Sequence, residues 1–290
     1  MFERIGLIAK SGAVEIRDTL SYLVQYLQDR RRTIIVDECC AEILGRDDMQ
    51  MIPAKEIGRH CDLAIAIGGD GTMLKAAHKL SEHQVPLLGI NLGRLGFLAD
   101  IPADAIAEHL DAILEGCYEE DERCLLHAIV SRKGETIHES EAINDLIIQK
   151  WNTARLIEFD THINGTLVNC QRSDGLIVST PTGSTAYALS AGGPILHPRL
   201  DAILLVPICP HNLANRPIVV DSRARIEIAV VTQEPRLVRL TADGDSQLDL
   251  GPGDRLLVSK KDKAIRLIHP ASYEHFRLLR NKLHWGRELC

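Results

Sequence analysis

The sequence predicts two domains of different class: an N-terminal α/β domain with a parallel, Rossmann-like sheet, followed by an all-β, sandwich-like domain. Over about the first 115 residues, continuous apolar runs alternate with segments whose apolar residues recur at helical spacing. From about Leu125 onward the pattern becomes a succession of short strands, many alternating with period two. A chain of 290 residues is also long enough for two domains that each bury a core. The expected division is 1–122 for the α/β domain, 123–269 for the β-rich domain and 270–290 for a tail.

In chain order, "RIGLIAK" is the first expected strand and "EIRDTLSYLVQYLQDR" the first helix, followed by the strand "RTIIVDE". "CDLAIAIGG" and "VPLLGINLG" are unbroken apolar runs ending in glycine, as expected of strands buried on both faces. Between them, "MLKAAHKLSEH" sets Met73, Leu74, Ala77 and Leu80 on one helical face. "ADAIAEHLDAILEG" is a further helix, stopped by Gly116. This alternation implies ligands at the carboxyl ends of the strands, where the glycine-bearing loops fall. In the second half, "LLHAIVSR", "ETIHESEAINDLIIQ", "ARLIEFDTHI", "TLVNCQRSDGLIVST", "ARIEIAVV", "RLVRLTAD", "DRLLVSK" and "AIRLIH" are the expected strands. "INGT" at 163–166 marks a hairpin, because Asn-Gly tolerates the positive φ of a type I′ turn. Its last three residues, Asn164-Gly165-Thr166, match a glycosylation sequon, but the turn explains them more simply. The tail "SYEHFRLLRNKLHW" is expected to be helical and to pack back on the first domain.

Composition narrows the function classes. Apolar residues make up 45% and charged residues 25%, ordinary for a soluble globular chain. A formal charge of −7 without a basic block argues against a nucleic-acid partner. The acidic third residue and the short first apolar run argue against a secretory signal, and no stretch is long enough to span a membrane. Eight scattered cysteines with no C-x-x-C pair argue against a zinc cage or redox motif and for reduced packing residues. The expectation is a cytoplasmic protein with no membrane partner.

Four stretches break the simple patterns. The first, Gly68-Gly69-Asp70-Gly71-Thr72, lets backbone approach a ligand at a helix start that favours anions. A carboxylate there is either a helix cap or a group serving a metal, a proton or a hydroxyl beside a phosphate. No Gly-Lys-Ser/Thr follows, and Lys75 lies too far along the helix for a Walker lysine. The second, "GINLGRLGFLAD", is a turn or a binding loop with Asn91 and Phe97 available. In the third, Asn144 and Asp145 interrupt a strand, either as a bulge or as a pair matched to ribose hydroxyls. The fourth, "RSDGLIVSTPTGSTAYALSAGGPILHP", carries six hydroxyl residues from Ser179 to Tyr187, a composition suited to a close polar pocket. It has no G-x-S-x-G elbow, which argues against a serine nucleophile.

Together these stretches, with "PICPHNLANRPIVV" at 207–220, resemble the bacterial NAD kinase family. The resemblance runs over nearly the whole chain, and "DGLIVSTPTGSTAYALSAGGPI" is its most specific part. It implies transfer of the γ-phosphoryl of ATP to the 2′-hydroxyl of the adenosine ribose of NAD, with Asp70 as general base or orienting acceptor. It also implies a divalent metal ion, Mg²⁺ being expected, that arrives without a dedicated protein metal site. Gly68, Gly69, Gly71 and Thr72 would line the nucleotide, with Asn91 and Phe97 nearby, while Asn144 and Asp145 would hold ribose hydroxyls or adenine. Arg172 and Asp174 would read the nicotinamide side. Thr182, Thr185, Ala186, Tyr187, Ala188, Leu189 and Ser190 resemble the segment that encloses the bases. Arg155 matches a position that meets ligand from a neighbouring subunit, so a homo-oligomer, dimer or tetramer, is implied.

Two departures stand out. Many relatives carry glutamate where this chain has Asp145. Relatives often read Asp-Gly-Gln where this chain reads Asp243-Gly244-Asp245, with Gln247 two positions on, so Asp245 and Gln247 are alternative contacts. Two competing functions share features: a lipid kinase has a GGDG loop but not the 174–195 block, and a non-catalytic dinucleotide sensor would keep the pocket without the chemistry.

Overall fold

The structure, a computed structural model, describes residues 2–10, 16–46, 48–93, 96–234 and 237–285, with the backbone alone for Ser246 and Gln247. The chain divides into two compact units, Met1–Glu122 with Ile265–Cys290, and Arg123–Ala264.

The first unit begins with strand β1 (Arg4–Ala9), helix α1 (Ile16–Asp29), β2 (Thr33–Val36), α2 (Glu38–Leu44) and the short β3 (Gln50–Met51). It continues with β4 (Leu63–Gly68), α3 (Asp70–Leu80), β5 (Leu87–Asn91), the two-residue β6 (Ile101–Pro102), α4 (Ile106–Leu114) and β7 (Tyr118–Arg123). Strand β4 is buried at all six positions, as an unbroken apolar run between helical layers should be. Helix α1 turns Leu20, Leu23, Val24 and Leu27 into the core beside Ile5 and Leu7 of β1. Helix α4 ends as expected at Gly116, which adopts φ 97° while its N–H donates to Ile113 O.

Helix α2 and strand β7 are among the elements that lie outside the sequence expectation. Helix α2 has only seven residues, too few for a clear period, yet its ends carry local signals. The Asp37 side chain accepts from Cys40 N at 2.8 Å, and Gly45 closes the helix at φ 61°. Strand β7, "YEEDER", has no apolar alternation; its pairing, not its propensity, makes it a strand.

The second unit contains β8 (Leu126–Arg132), β9 (Glu135–Ala142), β10 (Asp145–Lys150), β11 (Ile157–Ile163), β12 (Thr166–Ser173), β13 (Gly175–Ser179) and the one-turn helix α5 (Tyr187–Ser190). After these come β14 (Ala202–Ile208), β15 (Ile218–Asp221), β16 (Ile226–Val230), β17 (Val238–Ala242), β18 (Ser246–Leu250) and β19 (Arg255–Lys260). They form two six-stranded antiparallel sheets, ordered β15-β14-β13-β10-β17-β18 and β12-β11-β16-β19-β8-β9. Asn164 and Gly165 take φ 52° and 79°, the backbone of the expected hairpin, and Ile163 pairs with Thr166. One core, with Phe159, Ile226, Ile228 and Val258 from one sheet and Leu146, Leu176, Val178 and Leu205 from the other, fills the sandwich. The opposite face of β10, β13 and β14 buries Ile147, Ile177, Leu204 and Val206 against Ala188 and Leu196. That second covering layer is why β13 reads as continuously apolar.

The chain then returns through β20 (Ile265–Pro270) and helix α6 (His275–Leu283). The sequence pattern groups "AIRLIH" with the β domain, but β20 belongs to the first sheet, ordered β3-β2-β1-β4-β5-β20-β7 with β6 beside β5. It runs parallel to β5, and β1, β2 and β4 are also mutually parallel where they pair. A period-two pattern shows that a strand exists but not which sheet accepts it. The seven described cysteines are free; Cys40 and Cys61 are buried as expected of packing residues, whereas Cys117, Cys170 and Cys209 are exposed.

Candidate active site

In the first unit, the chain leaves β4 at Gly68 and enters α3 at Asp70. A side chain at Gly68 would put its Cβ 2.2 Å from Thr72 Oγ1, so the loop closes only around glycine. Asp70 does not cap its own helix; the N-cap is Gly69. Instead its carboxylate accepts three backbone N–H groups from a distant loop: Phe97 to Oδ2 at 2.8 Å, and Leu98 and Ala99 to Oδ1 at 2.9 and 3.2 Å. A Cβ on Gly96 would stand 2.0 Å from Asp70 Oδ1, so that loop too needs its glycine. Asn91, the last residue of β5, is buried, and its Oδ1 accepts from Gly93 N at 3.0 Å. This favours the turn reading of Asn91. Phe97 lies under the Lys282 ammonium of α6, 5.2 Å from the ring centroid.

Beside the Asp70 loop is a cavity of about 420 Å³ lined by Ile8, Ala9, Lys10, Cys39, Gly69, Gly71, Thr72, Lys75 and Lys79. It sits at the carboxyl end of β1 and the N-terminus of α3, where backbone dipoles favour an anion. Lys75 and Lys79, one turn apart on α3, and Lys10 after β1 supply positive charge that the motif reading left out. Their spacing was the available signal. Thr72 is itself buried beneath Gly68 while contributing to the wall.

In the second unit, Asn144 closes the bend before β10 and Asp145 opens the strand. Their backbone is held by Asp243, a non-glycine residue at φ 48° in the turn after β17. Asp243 Oδ1 accepts from Asn144 N and Asp145 N at 2.8 and 3.1 Å, and Oδ2 from Ile143 N at 2.8 Å. Asp145 is 4% exposed, and burial, reinforced by the charge of Asp243, pushes its carboxyl up to about 7. Asp243 was noted in the sequence only as part of a motif; its role in shaping the Asn144-Asp145 corner depends on contacts about a hundred positions away.

The hydroxyl-rich segment is built differently from the expected polar pocket lining. Ser179, Thr180, Ser184 and Thr185 donate to backbone carbonyls of Asn144, Ile143, Pro181 and Thr182 respectively. Ser184 also accepts from Leu196 N at 2.9 Å. Ser179 and Thr180 thereby brace the loop against the Asn144 corner, while Ser184 and Thr185 tie the segment to itself. A Cβ at Gly183 would lie 2.1 Å from Asn144 O, which shows how closely the two segments meet. Thr182 Oγ1 accepts from Arg123 Nη1 at 3.3 Å. Tyr187 and Ser190 are exposed, Ala186 and Leu189 half-buried, and Ala188 is buried in the core.

Arg172 and Asp174 each have another partner: Arg172 Nε lies 2.9 Å from Glu158, and Asp174 pairs with Lys150 at 2.6 Å. Arg155 is exposed and pairs with Glu234 at 2.6 Å. Asp245 is exposed, with its N–H donating to Ala242 O at 3.1 Å; Gln247 stands opposite Thr241 in the β17–β18 ladder, and its side chain lies outside the described residues. No cluster of three or more His, Cys, Asp or Glu that could hold a metal occurs among the described residues.

Two family models match the chain: the ATP-NAD kinase N-terminal domain over residues 5–118 and the ATP-NAD kinase C-terminal domain over residues 143–270. The chain belongs to the ATP-NAD kinase family. Membership in the ATP-NAD kinase family makes it a phosphotransferase. A curated NAD kinase of Pseudomonas savastanoi pv. phaseolicola is 45% identical over 288 residues, 99% of this chain and 97% of the relative. One from Pseudomonas fluorescens is 44% identical over the same shares. The crystal structure of yeast NADH kinase complexed with NADH matches with a TM-score of 0.89 at 27% identity, covering 98% of this chain and 88% of that one. An NAD kinase from Archaeoglobus fulgidus in complex with ATP matches with a TM-score of 0.71 at 24% identity over 99% and 100%, a likeness of fold. No helix among the described residues is long and apolar enough to cross a membrane.

Proposed function

We propose that the protein transfers the γ-phosphoryl group of ATP to the 2′-hydroxyl of the adenosine ribose of NAD, giving NADP, with Asp70 accepting the hydroxyl proton. The observation that supports this most directly is how the Asp70 carboxylate is held. An ionised carboxylate offers about four lone-pair positions. Three of them accept Phe97, Leu98 and Ala99 N–H, two on Oδ1 and one on Oδ2. The remaining direction belongs to Oδ2, on a group fixed in place beside a cavity that carries Lys10, Lys75 and Lys79. Such a carboxylate can orient an attacking hydroxyl without moving, and phosphoryl transfer depends mainly on alignment and neutralised charge.

Mg²⁺ suits this arrangement because it is usually held by nucleotide phosphates and one or two carboxylates rather than an all-protein cage. Asp70 is the carboxylate on the glycine loop, and the lysines complement whatever phosphate charge the metal leaves. Asn144 and Asp145 would take ribose hydroxyls or adenine, and Arg172, Asp174, Arg155 and the exposed face of 185–190 would meet the rest of the dinucleotide. The free cysteines and the mixed-charge composition agree with a cytoplasmic location.

Incubation with NAD, ATP and Mg²⁺, followed by detection with an NADP-specific dehydrogenase, is expected to show NADP formation. A protein that binds NAD but forms no NADP would favour the sensor function. The family resemblance also implies a dimer or tetramer. Edge strands β12 and β15 support it, exposing Leu167, Val168, Ile218 and Val219. Light scattering coupled to size exclusion is expected to give a multiple of the 32.1 kDa chain mass; a monomer at micromolar concentration sinks that part.

A further inference from the structure

The loop that grips Asp70 is itself gripped by the returning end of the chain. Asp100 directly follows Phe97, Leu98 and Ala99, the residues whose N–H groups reach Asp70. Its Oδ2 lies 2.9 Å from Nδ1 of His269 in β20. A carboxylate only accepts, which assigns the proton of this contact to Nδ1. The imidazole is 1% exposed, the Tyr273 ring stacks on it at 4.0 Å and 14°, and Asp121 Oδ2 lies 3.9 Å from Nε2, beyond hydrogen-bond reach. The loop has little freedom elsewhere. Gly96 N donates to Ala99 O at 3.1 Å, and Gly89 of β5 is so close to it that a Cβ there would lie 2.7 Å from Ala99 Cα. Burying an imidazole and two carboxylates together is expensive, and apolar residues would have joined β20 to its neighbours at lower cost.

We propose that His269 is a positioning residue for phosphoryl transfer: through Asp100 it fixes the 97–99 amides, and through them the Asp70 carboxylate. The chain's return to the first sheet then has a catalytic consequence, since β20 delivers the group that sets the aim of Asp70. This rests on the assignment of Asp70 as acceptor of the 2′-hydroxyl proton. Misplacement of a reacting group by even an ångström costs large factors in rate while leaving substrate affinity nearly untouched.

The test compares His269→Leu, which removes the Nδ1 donor, with His269→Asn, which returns an N–H at nearly the same place. In His269→Leu, kcat is expected to fall about 10- to 100-fold with KM for NAD within about threefold. Hydrogen–deuterium exchange should show faster exchange at 97–99, and His269→Asn should restore both most of the turnover and the protection. Asp100→Ala removes the acceptor of the same contact and serves if His269→Leu does not fold. Wild-type turnover in His269→Leu, or a loss that His269→Asn leaves unchanged with exchange at 97–99 unaltered, overturns the proposal. Asp70→Asn run alongside separates two failures. Normal turnover there sinks the Asp70 assignment; lost turnover there with normal turnover in His269→Leu sinks only the positioning role.

Discussion

Asp70→Asn is expected to lower kcat by about 10²- to 10⁴-fold, the usual contribution of a positioned proton acceptor. NAD affinity is expected to stay within about threefold, because the lost interaction matters in the transition state and not in the bound ground state. The substitution also has a structural cost that the contacts make explicit. An amide keeps one oxygen; placed at Oδ1 it still accepts Leu98 and Ala99, but the NH₂ then faces Phe97 N–H, donor against donor. That mismatch should destabilise the protein by about 1–3 kcal/mol. Urea unfolding measured with the kinetics separates the two effects. Loss of turnover together with loss of NAD binding in a folded protein would make Asp70 a loop clamp and nothing more.

The contacts of Asp70 also show where sequence information stops. The strand–glycine–helix context of Asp70 is local, so period and glycine content were enough to single it out. Its three donors lie 27 to 29 positions away, and nothing local in "GFLA" marks them as donors to a carboxylate. Asp243 and β20 are further cases. An Asp-Gly turn and an alternating strand are legible as such, while the backbone they hold and the sheet they join depend on long-range pairing. The hydroxyls of 179–185 carry a role that composition does not show. Composition suggested a ligand pocket, but small hydroxyl residues are equally good at bonding their own backbone, and here four of them do. Lys75 fits no Walker spacing, yet on the helix it shares a cavity wall with Lys79. Motif spacing tests one known geometry; a helical face offers others.

Asp145 links the second unit's stability to pH. Its carboxyl, pushed up to about 7 mainly by burial and then by Asp243, compares with an ordinary unfolded value near 4. Between about pH 4 and 7 the folded chain therefore holds more protons here than the unfolded chain, so stability falls as pH rises through that window. Below it both states are protonated and the group is neutral in effect; above it the penalty is complete, on the order of a few kcal/mol. Asp145→Asn removes the charge while keeping the shape. The ligand-free variant is expected to be more stable than the wild type at pH 8, by a margin that closes toward pH 4. Urea unfolding at pH 5, 6, 7 and 8 reads this directly, and parallel profiles for the two proteins would sink it. If Asp145, at the start of β10 and beside Asn144, takes ribose hydroxyls as proposed, their hydrogen bonds would stabilise the charged form that burial disfavours. Calorimetric titration with NAD at pH 8 should then show Asp145→Asn binding about 10- to 100-fold more weakly, from one or two charge-assisted hydrogen bonds lost. Greater stability with weaker binding in one variant is the pattern of a site group held under strain for its ligand. A variant that gained stability and bound NAD normally would leave Asp145 outside the site.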